Sequence, residues 1–273
     1  MARRSAHIRS EVPRAVRRRT PITFAALLGA ALGVLLALLL FAPARWLAQT
    51  AASASQGHLL LVDARGTVWN GSAQMVLAGG SGSTDAAALP DRIEWQLRPA
   101  LTGLRLQLRA ACCTVQPMVL HTDVRFDGIH IRVDNGRSSW PAALLSGLGT
   151  PFNTLQPEGT LALSTSDLAL HLAAGRLSVA GRADFDLRDM ASSLSPLRPL
   201  GSYRLSVQGG NVPGLDLSTL DGPLRLSGTG QWVGNRLRFT GEARALPERE
   251  AALSVLLNLL GRRVGATSVI TLG

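Results

Sequence analysis

The chain reads as mainly β: an N-terminal transmembrane helix, then a curved antiparallel β-meander with one C-terminal helix. Three observations predict this. A 21-residue stretch, Ile22 to Ala42, carries no charge. Beyond residue 58 the apolar residues recur with period two, the signature of half-buried strands. Only one later segment, near residue 250, has helical spacing.

The span comes first. Its only polar side chain is Thr23. At ~1.5 Å rise per residue it reaches ~30 Å, the thickness of a bilayer's hydrocarbon core. Pro21 suits a first helical turn and Pro43 a stop. Arg45 and Trp46 follow where interfacial anchors sit. Ahead of it lie Arg3, Arg4, Arg9, Arg14, Arg17, Arg18 and Arg19 against one acid, Glu11. Basic flanks stay in the cytoplasm, so the chain after residue 43 is expected on the far side. The basic flank of Arg14, Arg17, Arg18 and Arg19 is the topogenic element. A cleaved signal is the competing reading, with small residues at Ala52, Ser53 and Ala54, but its apolar core would be shorter. The domain plan is therefore 1–21 cytoplasmic Arg-rich tail, 22–42 transmembrane helix, 43–57 linker, of which residues 47–57 suit a linker or a frayed helix extension, and 58–273 exported β-rich domain.

Charge supports this topology and argues against nucleic acid. The chain has a net charge of +10. Residues 1–45 hold eight arginines and one acid, which accounts for most of that excess. No basic stripe interleaved with aromatics follows, so nucleic acid is not an expected partner.

The strands follow in order. His58 to Val62 leads through Gly66-Thr67-Val68-Trp69-Asn70-Gly71 into Ala73, Met75 and Leu77. A loop over residues 78–86 follows. Ile93, Trp95 and Leu97 alternate with polar residues, as do Leu104, Leu106 and Leu108. Two short runs flank Asp127-Gly128. Pro141 to Leu148 suits one or two helical turns with Ser139 as a cap. Separate runs then carry Leu161 and Leu163; Leu168, Leu170 and Leu172; Leu177 and Val179; and Ala183, Phe185 and Leu187. Tyr203, Leu205 and Val207 follow, then Leu224 and Leu226, Trp232, Leu237 and Phe239. Turns are expected at Ala174-Gly175, Gly209-Gly210, Asp221-Gly222 and Gly234-Asn235. The helix starts at Pro247 with Glu248 and Glu250, presents Leu253, Leu256, Leu257 and Leu260, and ends at Gly261 with Arg262 and Arg263 near its pole. Thr267 to Leu272 is the last strand.

The search for chemistry finds none. No nucleophile elbow, phosphate loop or HExxH zinc motif occurs. Gly228, Gly230 and Gly234 have the wrong spacing for a nucleotide fingerprint. The histidines are His7, His58, His121, His130 and His171. His121 and Asp123 share a strand face, a weak metal pair better read as hydrogen-bonded or solvated. Cys112 and Cys113 are adjacent; the plainer expectation is partly buried thiols, with a vicinal disulfide as the alternative. No catalytic residue, metal or cofactor is expected, and the chain is not read as an enzyme. Two features suggest binding. Ala25, Gly29, Gly33 and Ala37 form a small-residue face on the span, suited to packing against another membrane helix. Strand edges of the meander could pair with another protein.

The GTVWNG turn at Gly66–Gly71 resembles type II secretion system protein N, of the general secretion pathway. So do Pro43-Ala44-Arg45-Trp46-Leu47 after the anchor and Leu89-Pro90-Asp91-Arg92-Ile93-Glu94-Trp95. Gly222 to Gly228 and Leu257 to Arg263 extend the resemblance to the C-terminal part. The long tail before the anchor and the cysteine pair depart from it. The resemblance implies a non-catalytic accessory subunit of the bacterial inner membrane, single-pass, with its C-terminal domain in the periplasm. Implied partners are other platform subunits of the type II secretion machine and the outer-membrane secretin. The alternative is an AsmA-like periplasmic lipid-handling protein, with an apolar β-groove that contacts acyl chains.

Overall fold

The structure is a computed structural model. It describes residues 22–173, 176–210, 212–234 and 236–273. The turn residues Ala174, Gly175 and Asn235, and the basic flank Arg14, Arg17, Arg18 and Arg19, lie outside the described residues. The chain divides into two units, residues 1–41 and 42–273.

The first unit contains helix α1, Ile22–Leu40, 19 residues without a charge. Its described leucines are exposed. Side chains of this helix are described only for residues 26–38 and 40. Among the described residues no helix is long and apolar enough to cross a membrane.

The second unit is built on one antiparallel sheet of 15 strands. In chain order these are β1 (Leu59–Gly66), β2 (Asn70–Ala78), β3 (Ala86–Pro99), β4 (Gly103–Ala110), β5 (Met118–Arg125), β6 (Gly128–Val133), β7 (Gly136–Pro141), β8 (Pro157–Ala173), β9 (Arg176–Ser192), β10 (Gly201–Gln208), β11 (Gly214–Asp221), β12 (Leu224–Val233), β13 (Arg236–Ala245), β14 (Arg262–Val264) and β15 (Thr267–Leu272). Neighbours in sequence are neighbours in the sheet, with two exceptions. β6 and β7 both pair with β8, and β15 lies between β13 and β14. The predicted meander is therefore the observed one.

Three strands, β7, β11 and β14, are additional to the sequence reading. Two pairs of runs on either side of residues 166 and 181 merge into single strands, β8 and β9. In β8 a bulge absorbs the break in alternation, whereas in β9 the alternation keeps its phase through Gly181. The register shifts between Val62 and Arg65 in β1 and between Ser166 and Ala169 in β8. Asp63, Asp167 and Asp189 all adopt positive φ, near +50°. Aspartate tolerates the left-handed region better than most residues. A bulge adds one residue, so the alternation changes phase without ending the strand.

Registration keeps one face apolar across the sheet. Trp95 opposes Leu108, Leu106 opposes Leu120, Ile131 opposes Leu170, and Phe185 opposes both Leu163 and Leu205. Helices cover parts of that face. Helix α2 (Ala44–Ala54) seats Ala44 against Ala73 and Trp95. The segment expected as a linker over residues 43–57 is thus largely a packed helix. A 3-10 turn, Ala142–Leu148, and the short helix α3 (Phe152–Leu155) follow β7. Leu144 packs with Leu89, Ala110 and Cys113, and Ala142 with Met190 and Tyr203. Ser139 does not cap that turn; it lies in β7, and the N-cap position is Pro141. At the far end α4 (Glu250–Leu260) buries Leu253, Leu256 and Leu257 on Leu200, Leu224 and Ala243. Gly261 follows it in extended backbone at φ −178°. Its need for glycine is steric, since a Cβ there would lie 2.2 Å from the Val269 carbonyl oxygen. Arg262 and Arg263 belong to β14 and do not form a helix pole.

Cys112 and Cys113 are joined as a vicinal disulfide, with Cα atoms 3.7 Å apart. This corrects the thiol expectation. The pair lies in the turn after β4, where the chain is already reversing, and Cys113 is buried beside Ala110.

Candidate functional site

The N-terminal stretches that carried the family resemblance build a structural hub. Gly71 lies beneath Trp95, and a Cβ on Gly71 would sit 2.4 Å from the Trp95 Cζ2 atom. Trp95 is 2% exposed. Its indole N–H donates to the Val68 carbonyl at 3.1 Å. Val68 N–H in turn donates to the Ala42 carbonyl at 2.8 Å, and Pro43 bridges Thr67. The turn, the tryptophan strand and the start of α2 thus form one packed joint. Arg92 adds a clamp: it donates to the Asp63 carboxylate at 2.9 Å and to the Asp63 carbonyl at 2.7 Å. Hydrogen bonds from Arg65 and Arg92 hold the Asp63 carboxyl below its ordinary range.

On the polar face of β9 and β10 an ionic lattice forms. Arg204 grips Asp186 with two bonds, Nε to Oδ1 at 2.6 Å and a terminal nitrogen to Oδ2 at 2.9 Å. Arg182 and Ser206 both donate to Asp184. The bonds from Arg204 hold the Asp186 carboxyl low against its partial burial. Arg204 and Asp184, with Arg137, Asn135 and Thr165, line an open groove of about 800 Å³. Both acids of this lattice accept from arginine, so neither is a poised general base.

The predicted sites fall as follows. Gly29 and Gly33 have nothing within 4 Å of where a Cβ would stand, so their face of α1 is open. Ala37 lies further along the same helix, and Ala25 lies within it with its side chain outside the described set. His121 and Asp123 do not form a pair. His121 Nε2 lies 3.2 Å from an Asp134 oxygen, and Asp123 accepts from Thr102 at 2.6 Å. The strand order ends on β1 and the three-residue β14, and β7 also pairs on one side only, with β8. A very short edge and a bulged one both discourage strand addition.

Two features went unread in the sequence. Leu104, Val124, Ile129 and Leu172 share the apolar face at one end of β4, β5, β6 and β8, and all are exposed; Phe126, in the β5–β6 turn beside them, is fully exposed. A contiguous apolar patch of this kind marks contact surfaces. The second is a cluster of Asp127, His130 and His171, whose ligand atoms all lie within 4.8 Å of one another. The two histidines are 41 positions apart in sequence and meet only through the β6–β8 register.

The fold is a long antiparallel sheet with helices packed on one face; among the described residues no nucleophile, base and orienting acid come together. The family model of type II secretion system protein N matches residues 57–269, and the chain belongs to that family. It is therefore a component of the type II secretion system. The match lends no support to the lipid-handling alternative. Neither the comparison with curated proteins nor that with solved structures returned a match.

Proposed function

We propose that the protein is a non-catalytic, single-pass accessory subunit of the type II secretion platform in the bacterial inner membrane. Its tail is cytoplasmic, and the chain after residue 43, with the β-rich domain at 58–273, is periplasmic. The family match over residues 57–269 carries this reading. The uncharged sequence from Ile22 to Ala42, of which the structure describes only part of the side chains, supports the membrane part. The arginine-rich tail ahead of it supports the orientation.

Two surfaces fit the role of partner binding. Gly29 and Gly33 are open on α1, and the small-residue stripe that the sequence forms from them with Ala25 and Ala37 admits close approach of another platform subunit's helix. The patch of Leu104, Val124, Phe126, Ile129 and Leu172 offers an apolar contact for a periplasmic domain of a platform subunit or the secretin. The test is crosslinking in intact membranes followed by affinity capture of this chain. Capture of platform subunits, lost on Val124→Asp plus Ile129→Asp, supports the reading. Capture of phospholipid alone, with normal secretion in a deletion strain, overturns it.

A further inference from the structure

From the β6–β8 seam we infer a divalent transition-metal site, of the zinc class, formed by Asp127, His130 and His171. The two histidines oppose each other directly across the seam. Asp127 reaches both from the β5–β6 turn. His130 Nε2 lies 3.1 Å from Asp127 Oδ1 and 3.2 Å from Oδ2. His171 Nε2 lies 3.9 Å from Asp127 Oδ2 and 3.3 Å from the Asp127 carbonyl oxygen. In a tetrahedral zinc site with bonds of ~2.0–2.1 Å, neighbouring donor atoms stand about 3.3 Å apart. The separations from Asp127, 3.1 to 3.9 Å, bracket that value, and all three ligand atoms lie within 4.8 Å of one another.

The side chains need a small rearrangement. The rings are stacked, with centroids 4.0 Å apart and planes 12° from parallel. An ion must lie in the plane of each imidazole it binds. The rings must therefore splay by rotation about χ2, a torsion with broad preference. Partial exposure of both side chains, 26% for His130 and 33% for His171, leaves room for that turn. Two neutral imidazoles and one carboxylate form a donor set suited to zinc and its late first-row neighbours rather than to magnesium or calcium. Three protein donors leave a fourth position for water or a partner's side chain.

The location gives the site a role. The β6–β8 seam holds four paired residues, Ile129 to Arg132 against Ala169 to Leu172, whereas β8 and β9 share fourteen. With β7 it is where strands β1–β6 join strands β8–β15. A metal bound by His130 and His171 staples this narrow seam on the polar face. On the opposite face, at the same strand ends, lies the exposed apolar patch.

The experiment uses the full chain purified in detergent without a polyhistidine tag. Zinc is titrated calorimetrically, and cobalt absorption reports coordination geometry. The expected result is one zinc per chain, with affinity lower by about 100-fold or more in His130→Ala and in His171→Ala, since loss of outer-shell partners alone costs 10–100-fold. His121→Ala leaves binding unchanged. Zinc also slows amide exchange at residues 129–132 and 169–172 in the wild type but not in His171→Ala. Asp127→Asn, at an exposed turn, gives the same loss of affinity should the histidine variants fold poorly. Absence of saturable binding, or binding indifferent to His130, His171 and Asp127, overturns the assignment and leaves a stacked pair closing the turn.

Discussion

Substitution of Gly71 tests the joint beneath α2 most sharply. The Gly71→Ala Cβ would stand 2.4 Å from Trp95 Cζ2, 2.8 Å from Cε2 and 2.7 Å from the Arg65 carbonyl oxygen. Carbon atoms normally rest ~3.5–4.0 Å apart, so the overlap with the indole is roughly 1 Å. Trp95 cannot simply withdraw, because its N–H is tied to Val68 and its ring is buried against Ala44 and Ala73. Overpacking of this kind costs about 1–3 kcal/mol. Trp95→Ala alone should cost about 3–5 kcal/mol. In the double variant the indole clash is gone, so Gly71→Ala should cost about 1 kcal/mol less than in the wild type; contact with the Arg65 carbonyl retains the rest. Urea unfolding of the full chain in detergent, followed by strand circular dichroism, gives each free energy. A Gly71→Ala cost below about 0.5 kcal/mol, or strict additivity with Trp95→Ala, would refute the packing argument.

Other outcomes follow from the same structure. Leu257→Ala, at a fully buried position of α4, should destabilise by about 2–5 kcal/mol in the same assay. Asp186 is held low by Arg204, so its stabilising effect is present above the unfolded carboxylate value near ~3.9 and is lost as pH falls through the lower folded value. The urea midpoint should therefore drop below about pH 4, and Asp186→Asn should flatten that drop. Reduction of Cys112–Cys113 should shift the midpoint little, because adjacent residues close the smallest loop and loop length sets the entropic gain. Gly29→Leu with Gly33→Leu should weaken capture of platform subunits and leave the body's unfolding midpoint unchanged.

Much of the meander was legible because period two survives in every long strand. Leu104, Leu106 and Leu108 could face one side only if the chain were extended there. Features set by tertiary partners were not legible. The composition of α2 is small and polar, and it is fixed in the fold by Ala44 packing against Trp95. β14 is three residues long and exists because β15 offers it a register. β7 is largely polar and ends in proline, so Ser139 resembled a helix cap. β11 lies between two glycine turns, and Leu220 breaks the alternation that Leu215 and Leu217 begin. The bulges at Asp63, Asp167 and Asp189 look like breaks in a sequence and prove to be phase changes within strands. The histidine cluster depends on strand register, which alternation alone does not give.

Assembly with the secretion platform is the central proposal. Crosslinking in intact cells, followed by capture of this chain, measures that directly. The expected result is capture of other inner-membrane platform subunits and, in a deletion strain, loss of secretion of folded exoproteins. Capture of none of them, together with normal secretion in the deletion strain, would contradict it.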